Sequence, residues 1–324
     1  MFRSIHIGID RYAATGIQWL SGAVRDAAAL HALFADTFGA DPALLTDEAA
    51  TATTIRTALT ALASEAGDDD MVVITYAGHG SEDHQLIPYD GDIHRITDTC
   101  ISLDELADRL SAIPGATLFC ALDCCFSGGL GARVFSTGLR PRVASPGSRI
   151  DVLDRVTGNG RVVLTAAAED QPAMESVRHG HGLLTFRLIE ALQGVPEVRQ
   201  GNQVNLYTAI EYITRHVEAD AAQMGHQQTP TLRGRLDGAP LWPVLVPGTL
   251  YAKRFPERIR QPATADLASL NAFGIPPAVL DAWAGSIAAL NDLQLAAIND
   301  PADRPGWNYE RSTPKSGKPR MSTP

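Results

Sequence analysis

The sequence predicts an α/β fold built on a mostly parallel sheet covered by helices on both faces. Three observations predict it. Continuous apolar runs of five or six residues recur along the first 245 positions, as buried parallel strands require. Stretches with apolar residues at helical spacing separate those runs. Finally, the residues with reactive side chains fall directly after apolar runs, where open α/β sheets place their sites.

Ser4 to Gly8 is the first predicted strand, followed by a helix from Ala23 to Phe38 with Ala27, Leu30, Phe34 and Phe38 on one stripe. A second helix at Thr54–Ala66 repeats the pattern with Ile55, Leu59 and Leu62. Met71 to Tyr76 is a fully apolar strand that ends just before His79. Ser102 and Glu105 have capping-box spacing and open a helix carrying Leu106, Leu110 and Ile113. Thr117 to Leu122 is the next buried strand and delivers Cys125, and Arg161 to Ala166 reads as another. Helices at Leu183–Leu192 and Asn205–Glu218 follow, then a last strand at Thr231–Leu236. Residues 129–160 break the pattern, are rich in Gly, Ser, Pro and Arg, and predict a long exposed loop. The domain expected from this reading spans 1–245, with a helical extension over 246–300 and a disordered tail over 301–324.

The bulk properties exclude several functions. A net charge of −10 argues against a nucleic-acid surface, since phosphate affinity needs clustered Lys and Arg. No apolar run is long enough for a membrane span, and no signal-peptide series opens the chain, so a cytoplasmic location is expected. Four cysteines, Cys100, Cys120, Cys124 and Cys125, show neither metal spacing nor a disulfide framework. The first three read as small core hydrophobes. His31, His84, His94, His179, His181, His216 and His226 read as surface or structural, and the His179-Gly180-His181-Gly182 repeat lacks carboxylate or Cys support for a metal. Asp26 lies on a helix, where the bland reading is an exposed face.

Two segments carry the chemistry: Tyr76-Ala77-Gly78-His79-Gly80-Ser81 and Asp123-Cys124-Cys125-Phe126-Ser127-Gly128. Adjacent parallel strands would bring an imidazole and a thiol to one sheet edge, the minimum equipment of a cysteine protease. These segments, with their separation of about 50 residues, resemble the caspase-like cysteine peptidases, and among them the metacaspases and orthocaspases. The resemblance covers residues 1–240 and implies a three-layer α/β/α sandwich with a six-stranded sheet. It implies Cys125 as nucleophile, His79 as proton donor to the leaving amine, and the N–H groups of Gly80 and Cys125 as oxyanion hole. Phe126 stands where metacaspases usually carry His, and is expected to alter the pocket rim.

Further implications concern specificity. Asp26 and Asp123 match the acidic pocket that selects Arg or Lys before the cleaved bond, and Asp170 matches a motif at the pocket wall. The implied partners are protein or peptide substrates with a basic residue at that position, with a protein activator as a second candidate. No metal site or cofactor is expected apart from calcium. Asp98-Thr99 falls where calcium-dependent relatives carry an Asp pair; the second carboxylate is missing, and Asp90 and Asp92 are the nearby oxygens. Self-cleavage in the 129–160 loop and a role in stress or defence signalling are further implications. Two alternatives stay open: a peptidase-like adaptor without activity, and acyl transfer to a cationic amine. The stretch from Phe273 to Ile298 resembles the lead-in of a superfamily 2 helicase, without the phosphate loop that should follow.

Overall fold

The computed structural model describes residues 1–92, 94–115, 117–126, 134–135, 149–156, 160–168, 171–176, 179–235 and 241–255. The chain opens with β1 (Phe2–Gly8), α1 (Ala23–Phe38), β2 (Ala43–Thr46) and α2 (Ala52–Glu65). Next come β3 (Met71–Ala77), then the short β4 (Gly80–Ser81), β5 (Gln85–Leu86), α3 (Ile96–Thr99) and β6 (Ile101–Ser102). α4 (Leu103–Ser111) leads into β7 (Thr117–Asp123), β8 (Val134–Phe135), a 3₁₀ segment (Arg149–Val156) and β9 (Arg161–Thr165). The second half contains β10 (Glu175–Ser176), β11 (His181–Gly182), α5 (Leu183–Leu192), β12 (Arg199–Gln200) and β13 (Gln203–Asn205). α6 (Leu206–Gln223), β14 (Thr231–Arg235), β15 (Leu241–Pro243) and α7 (Thr249–Arg254) complete it.

The central sheet has six strands in the order β14-β9-β7-β3-β1-β2. All pairings are parallel except β14 with β9. Strand alternation divides the core in two. Ile5, Ile7, Val72, Ile74, Leu118, Cys120 and Leu122 point toward α2 and α4. Val73, Phe119, Ala121, Val162 and Leu164 point toward α1, α5 and α6. The predicted six-stranded, mostly parallel sandwich is therefore the fold.

Local signals account for the helix ends. Thr51 and Ser102 accept N–H bonds from Thr54 and Glu105, capping α2 and α4, and Asn205 caps α6. Gly39, at φ +63, ends α1 in the left-handed conformation. β2 has no counterpart in the sequence reading. Its apolar run, Ala43-Leu44-Leu45, is only three residues long, and pairing with β1 defines it. The stretch expected to be an exposed loop over 129–160 needs one correction at its end. Arg149–Val156 forms 3₁₀ turns whose Leu153 and Val156 are buried in the core below the sheet. The expected helix over 266–300, the tail over 301–324 and the helicase-like stretch lie outside the described residues.

Candidate active site

β3 and β7 run side by side, with Tyr76 opposite Leu122 and Ala77 opposite Asp123. His79 and Cys125 each follow two residues later and so leave the sheet at the same end. Their backbones stay together: Gly78 N–H donates to the Asp123 carbonyl at 3.3 Å. A Cβ at Gly80 would stand 2.3 Å from the Cys125 carbonyl oxygen, so only glycine permits this approach. Gly80 thus lies against Cys125.

Both side chains are buried, His79 at 2% and Cys125 at 1% exposure. The imidazole Nε2 is 2.7 Å from the Gln18 carbonyl. A carbonyl only accepts, so Nε2 carries the proton and Nδ1 is the nitrogen with an exchangeable site. Tyr12 and Tyr76 clamp the turn. The Tyr12 hydroxyl accepts from His79 N–H at 2.8 Å, and the Tyr76 hydroxyl sits 2.8 Å from the His79 and Ile87 carbonyls. Burial holds the Tyr76 phenol well above the usual tyrosine range, so it stays a neutral donor.

The Cys125 sulfur faces Ala173: its N–H approaches at 2.6 Å and its carbonyl lies at 3.5 Å. Segment 171–176 therefore lies over the thiol. That segment is tied down twice. Gln228, buried at 1%, accepts from Met174 N–H and donates to the Ala166 carbonyl. Glu175 accepts from Ser21 and Gly22 at the start of α1, joining the segment to the loop that carries Gln18. That loop is shaped by Asp10, which accepts from Ala23 N–H, and by Asp47, which accepts from the N–H groups of Asp10 and Arg11.

The two predicted pocket carboxylates meet at the head of α5. Asp26 is completely buried and accepts from His181 Nδ1 at 2.7 Å and from Gly182 N–H at 3.2 Å. Asp123 accepts from the N–H and hydroxyl of Thr185 at 3.0 and 2.7 Å. Carboxylate oxygens at a helix N-terminus satisfy its orphan N–H groups and lie at the favourable end of its dipole. Asp26 is therefore no exposed helix residue.

A sequence model of the caspase domain matches residues 3–238. The chain belongs to the caspase-domain family. The crystal structure of a caspase-1 from Spodoptera frugiperda superposes with a TM-score of 0.50, covering 73% of this chain and 87% of that one at 14% identity. A structural-genomics target from Geobacter sulfurreducens superposes at 0.53, covering 74% and 95% at 16% identity. At such identities the likeness shows the fold. Among curated proteins, none matches this chain. Membership of the family makes a cysteine-peptidase type of function the supported class, with proteins as substrates.

Other residues singled out in the sequence of this caspase domain find these places. His181, read as surface or structural, is structural: it is buried and holds Asp26, a partner 155 residues away that no local signal could reveal. Arg25 Nε lies 3.3 Å from His181 Nε2 on the far side. His179 stacks on Phe186 with centroids 3.9 Å apart, and the His181 ring lies 6.3 Å from the same phenyl. Phe126 is buried beneath the sheet and stacks on His84 at 5.6 Å. Asp90 accepts from Ala52 N–H, Asp92 from His94 N–H, and Asp98 faces Arg95. Among the described residues, no three ligating side chains cluster for a metal. Asp170 lies outside the described residues. No described helix is long and apolar enough to cross a membrane.

Proposed function

We propose that this caspase-domain protein is an endopeptidase that cleaves after Arg or Lys, with Cys125 as nucleophile and His79 as acid and base. The observation that carries it is the β3–β7 register, which releases the imidazole and the thiol at one sheet end, two residues past the Ala77–Asp123 pair.

In this mechanism the Cys125 thiol passes its proton to His79 Nδ1, and the sulfur attacks the scissile carbonyl carbon. The oxyanion is received by the N–H groups of Gly80 and Cys125, whose backbones are in contact. His79 then gives the proton to the amine as the C–N bond breaks, leaving a thioester. Water, deprotonated by the same nitrogen, releases the acid and regenerates the thiol. Gln18 holds the ring by its other nitrogen throughout.

The preference for a basic residue is supported by Asp26 and Asp123, two buried carboxylates at the head of α5, with Asp123 two residues before the thiol. The segment over Cys125 supports an activation step: residues 171–176 must shift before a peptide meets the sulfur, which gives a protein activator something to do.

The test is cleavage of a fluorogenic peptide panel differing only in the residue before the bond, with and without calcium, beside Cys125→Ala and His79→Ala. Cleavage confined to Arg and Lys, lost in both variants, is the expected result. Cleavage after Asp would overturn the pocket assignment, and full activity in either variant would overturn the mechanism.

A further inference from the structure

The residue directly after β2 is Asp47, half-buried and held at φ +41. Residues with a Cβ use this left-handed region sparsely, and it persists where surrounding contacts enforce it. Here the contacts reach across to the loop between β1 and α1. Asp47 Oδ1 accepts from the consecutive N–H groups of Asp10 and Arg11, at 2.8 and 3.0 Å. One carboxylate oxygen thereby fixes the start of that loop.

The residues it fixes lead to the imidazole by separate routes. The Asp10 carbonyl accepts from Leu20 N–H at 2.9 Å, and its carboxylate accepts from Ala23 N–H at 2.8 Å, closing the loop onto the start of α1. The Arg11 guanidinium lies over the Trp19 ring, 5.3 Å from its centroid. Trp19 and Leu20 are the two residues after Gln18, whose carbonyl faces His79 Nε2 at 2.7 Å. Tyr12 comes next after the fixed pair. Its hydroxyl accepts from His79 N–H at 2.8 Å, and its ring centroid stands 5.2 Å from that of the imidazole. One restraint on the ring of His79 and one on its backbone thus lead back to the two N–H groups that Asp47 holds.

We propose that Asp47 is a positioning residue for His79. By fixing Asp10 and Arg11 it sets the Gln18 carbonyl on Nε2, and so selects the tautomer whose Nδ1 can take a proton from Cys125. The inference rests on the acid–base role given to His79 above. Its physical basis is that a carbonyl accepts from Nε2–H and offers nothing to a bare Nε2. A loop displaced by about 1 Å weakens that bond, and the proton redistributes between the two nitrogens. A neutral ring with its proton on Nδ1 cannot take another there from the thiol. Turnover then falls while substrate binding, which uses other groups, holds.

The test compares Asp47→Gly with Asp47→Asn in the full chain. Glycine adopts positive φ freely, so the first variant keeps the backbone and loses only the carboxylate. Asparagine tolerates the same region and retains an oxygen acceptor. The tautomer is read from imidazole nitrogen NMR resonances in histidine-labelled protein, with His79 assigned by the signal lost in His79→Gln. Kinetics use an Arg-containing fluorogenic peptide. Asp47→Gly is expected to mix the two tautomers and to lower kcat about tenfold, with KM within about twofold. Asp47→Asn should keep the single Nε2–H form and kcat within about twofold. An unaltered Nε2–H form in Asp47→Gly overturns the proposal, as does an equal loss of kcat in Asp47→Asn. Mixed tautomers with undiminished kcat in Asp47→Gly overturn this inference alone and leave the peptidase reading in place. If the tautomers mix but His79→Ala retains full activity, the placement of the ring stands and the mechanism above falls.

Discussion

The two faces of the central sheet treat the same residue type in opposite ways. Below the sheet, Cys100, Cys120 and Cys124 sit among Ile, Leu and Val, and burial pushes the Cys100 thiol up to about 11 and Cys120 up to about 12. Such thiols remain protonated and act as small hydrophobes. Cys125, one residue beyond Cys124, belongs to the cluster above the sheet, beside the N–H of Ala173. Just past the end of β7 the two side chains turn to opposite faces, and chemistry follows from which neighbours each face supplies. The upper face also buries polar groups: Ser4, His6 and Thr75 in the strands, and Asp26 in α1.

The largest effect that would break this contrast is at the thiols. Cys125→Ala should lower kcat/KM by at least ~10³-fold. Cys124→Ala should leave kcat/KM within a few-fold and cost about 1–2 kcal/mol of stability for the cavity. Peptide kinetics and denaturant melts read the two; comparable activity losses would erase the distinction.

The polar upper face should also make the protein sensitive to acid. His6 is fully buried between Thr75 and Ser4, with ring nitrogens 2.9 Å from each hydroxyl. Burial, with a smaller contribution from His31, pushes it down from 6.5 to about 3. The unfolded chain binds a proton that the folded protein resists, so stability is complete above pH 6.5. It falls progressively as pH drops toward 3, by on the order of 4 kcal/mol in total. His6→Leu should flatten that slope in melts between pH 4 and 7; an unchanged slope would assign the acid sensitivity elsewhere.

Smaller effects sharpen the picture of the site. Asp123→Asn keeps the size of the side chain but weakens its charge-assisted bonds to Thr185. It should raise KM for Arg peptides roughly 10- to 100-fold, with less change in kcat. The smallest effect is expected for Tyr12→Phe, which removes the oxygen that accepts His79 N–H. Its cost is about 1–2 kcal/mol of stability, because a buried N–H loses its partner. A loss of activity larger than that of Asp123→Asn would show that the Tyr12 clamp matters more than the pocket charge.

Much of the fold was legible because local pattern and tertiary need coincide. β3 and β7 are fully buried, so their apolar runs had no competing reading, and α5 matches its predicted span of Leu183–Leu192. α6 runs to Gln223, past the predicted end at Glu218, because Ala221 is buried against the core while its small side chain carries little periodic signal. β2 was illegible for the opposite reason: half-buried at an edge, it has only a three-residue apolar run and no clean alternation. Within the site, the motifs marked His79, Gly80 and Cys125. Gln18 and Ala173 could not be read, since both act through backbone atoms and any side chain can supply those.

The sequence by itself determined the sandwich and the two strand ends where an imidazole and a thiol emerge. Hydrophobic period and glycine placement are short-range properties, and they need no knowledge of distant residues. Only the tertiary structure decided that Asp26 is buried rather than exposed and that His181 holds it. The two are 155 residues apart in the chain. Their meeting depends on how α1 packs against β11 and the head of α5, and burial there makes hydrogen-bonded partners necessary for an ordinary surface residue type.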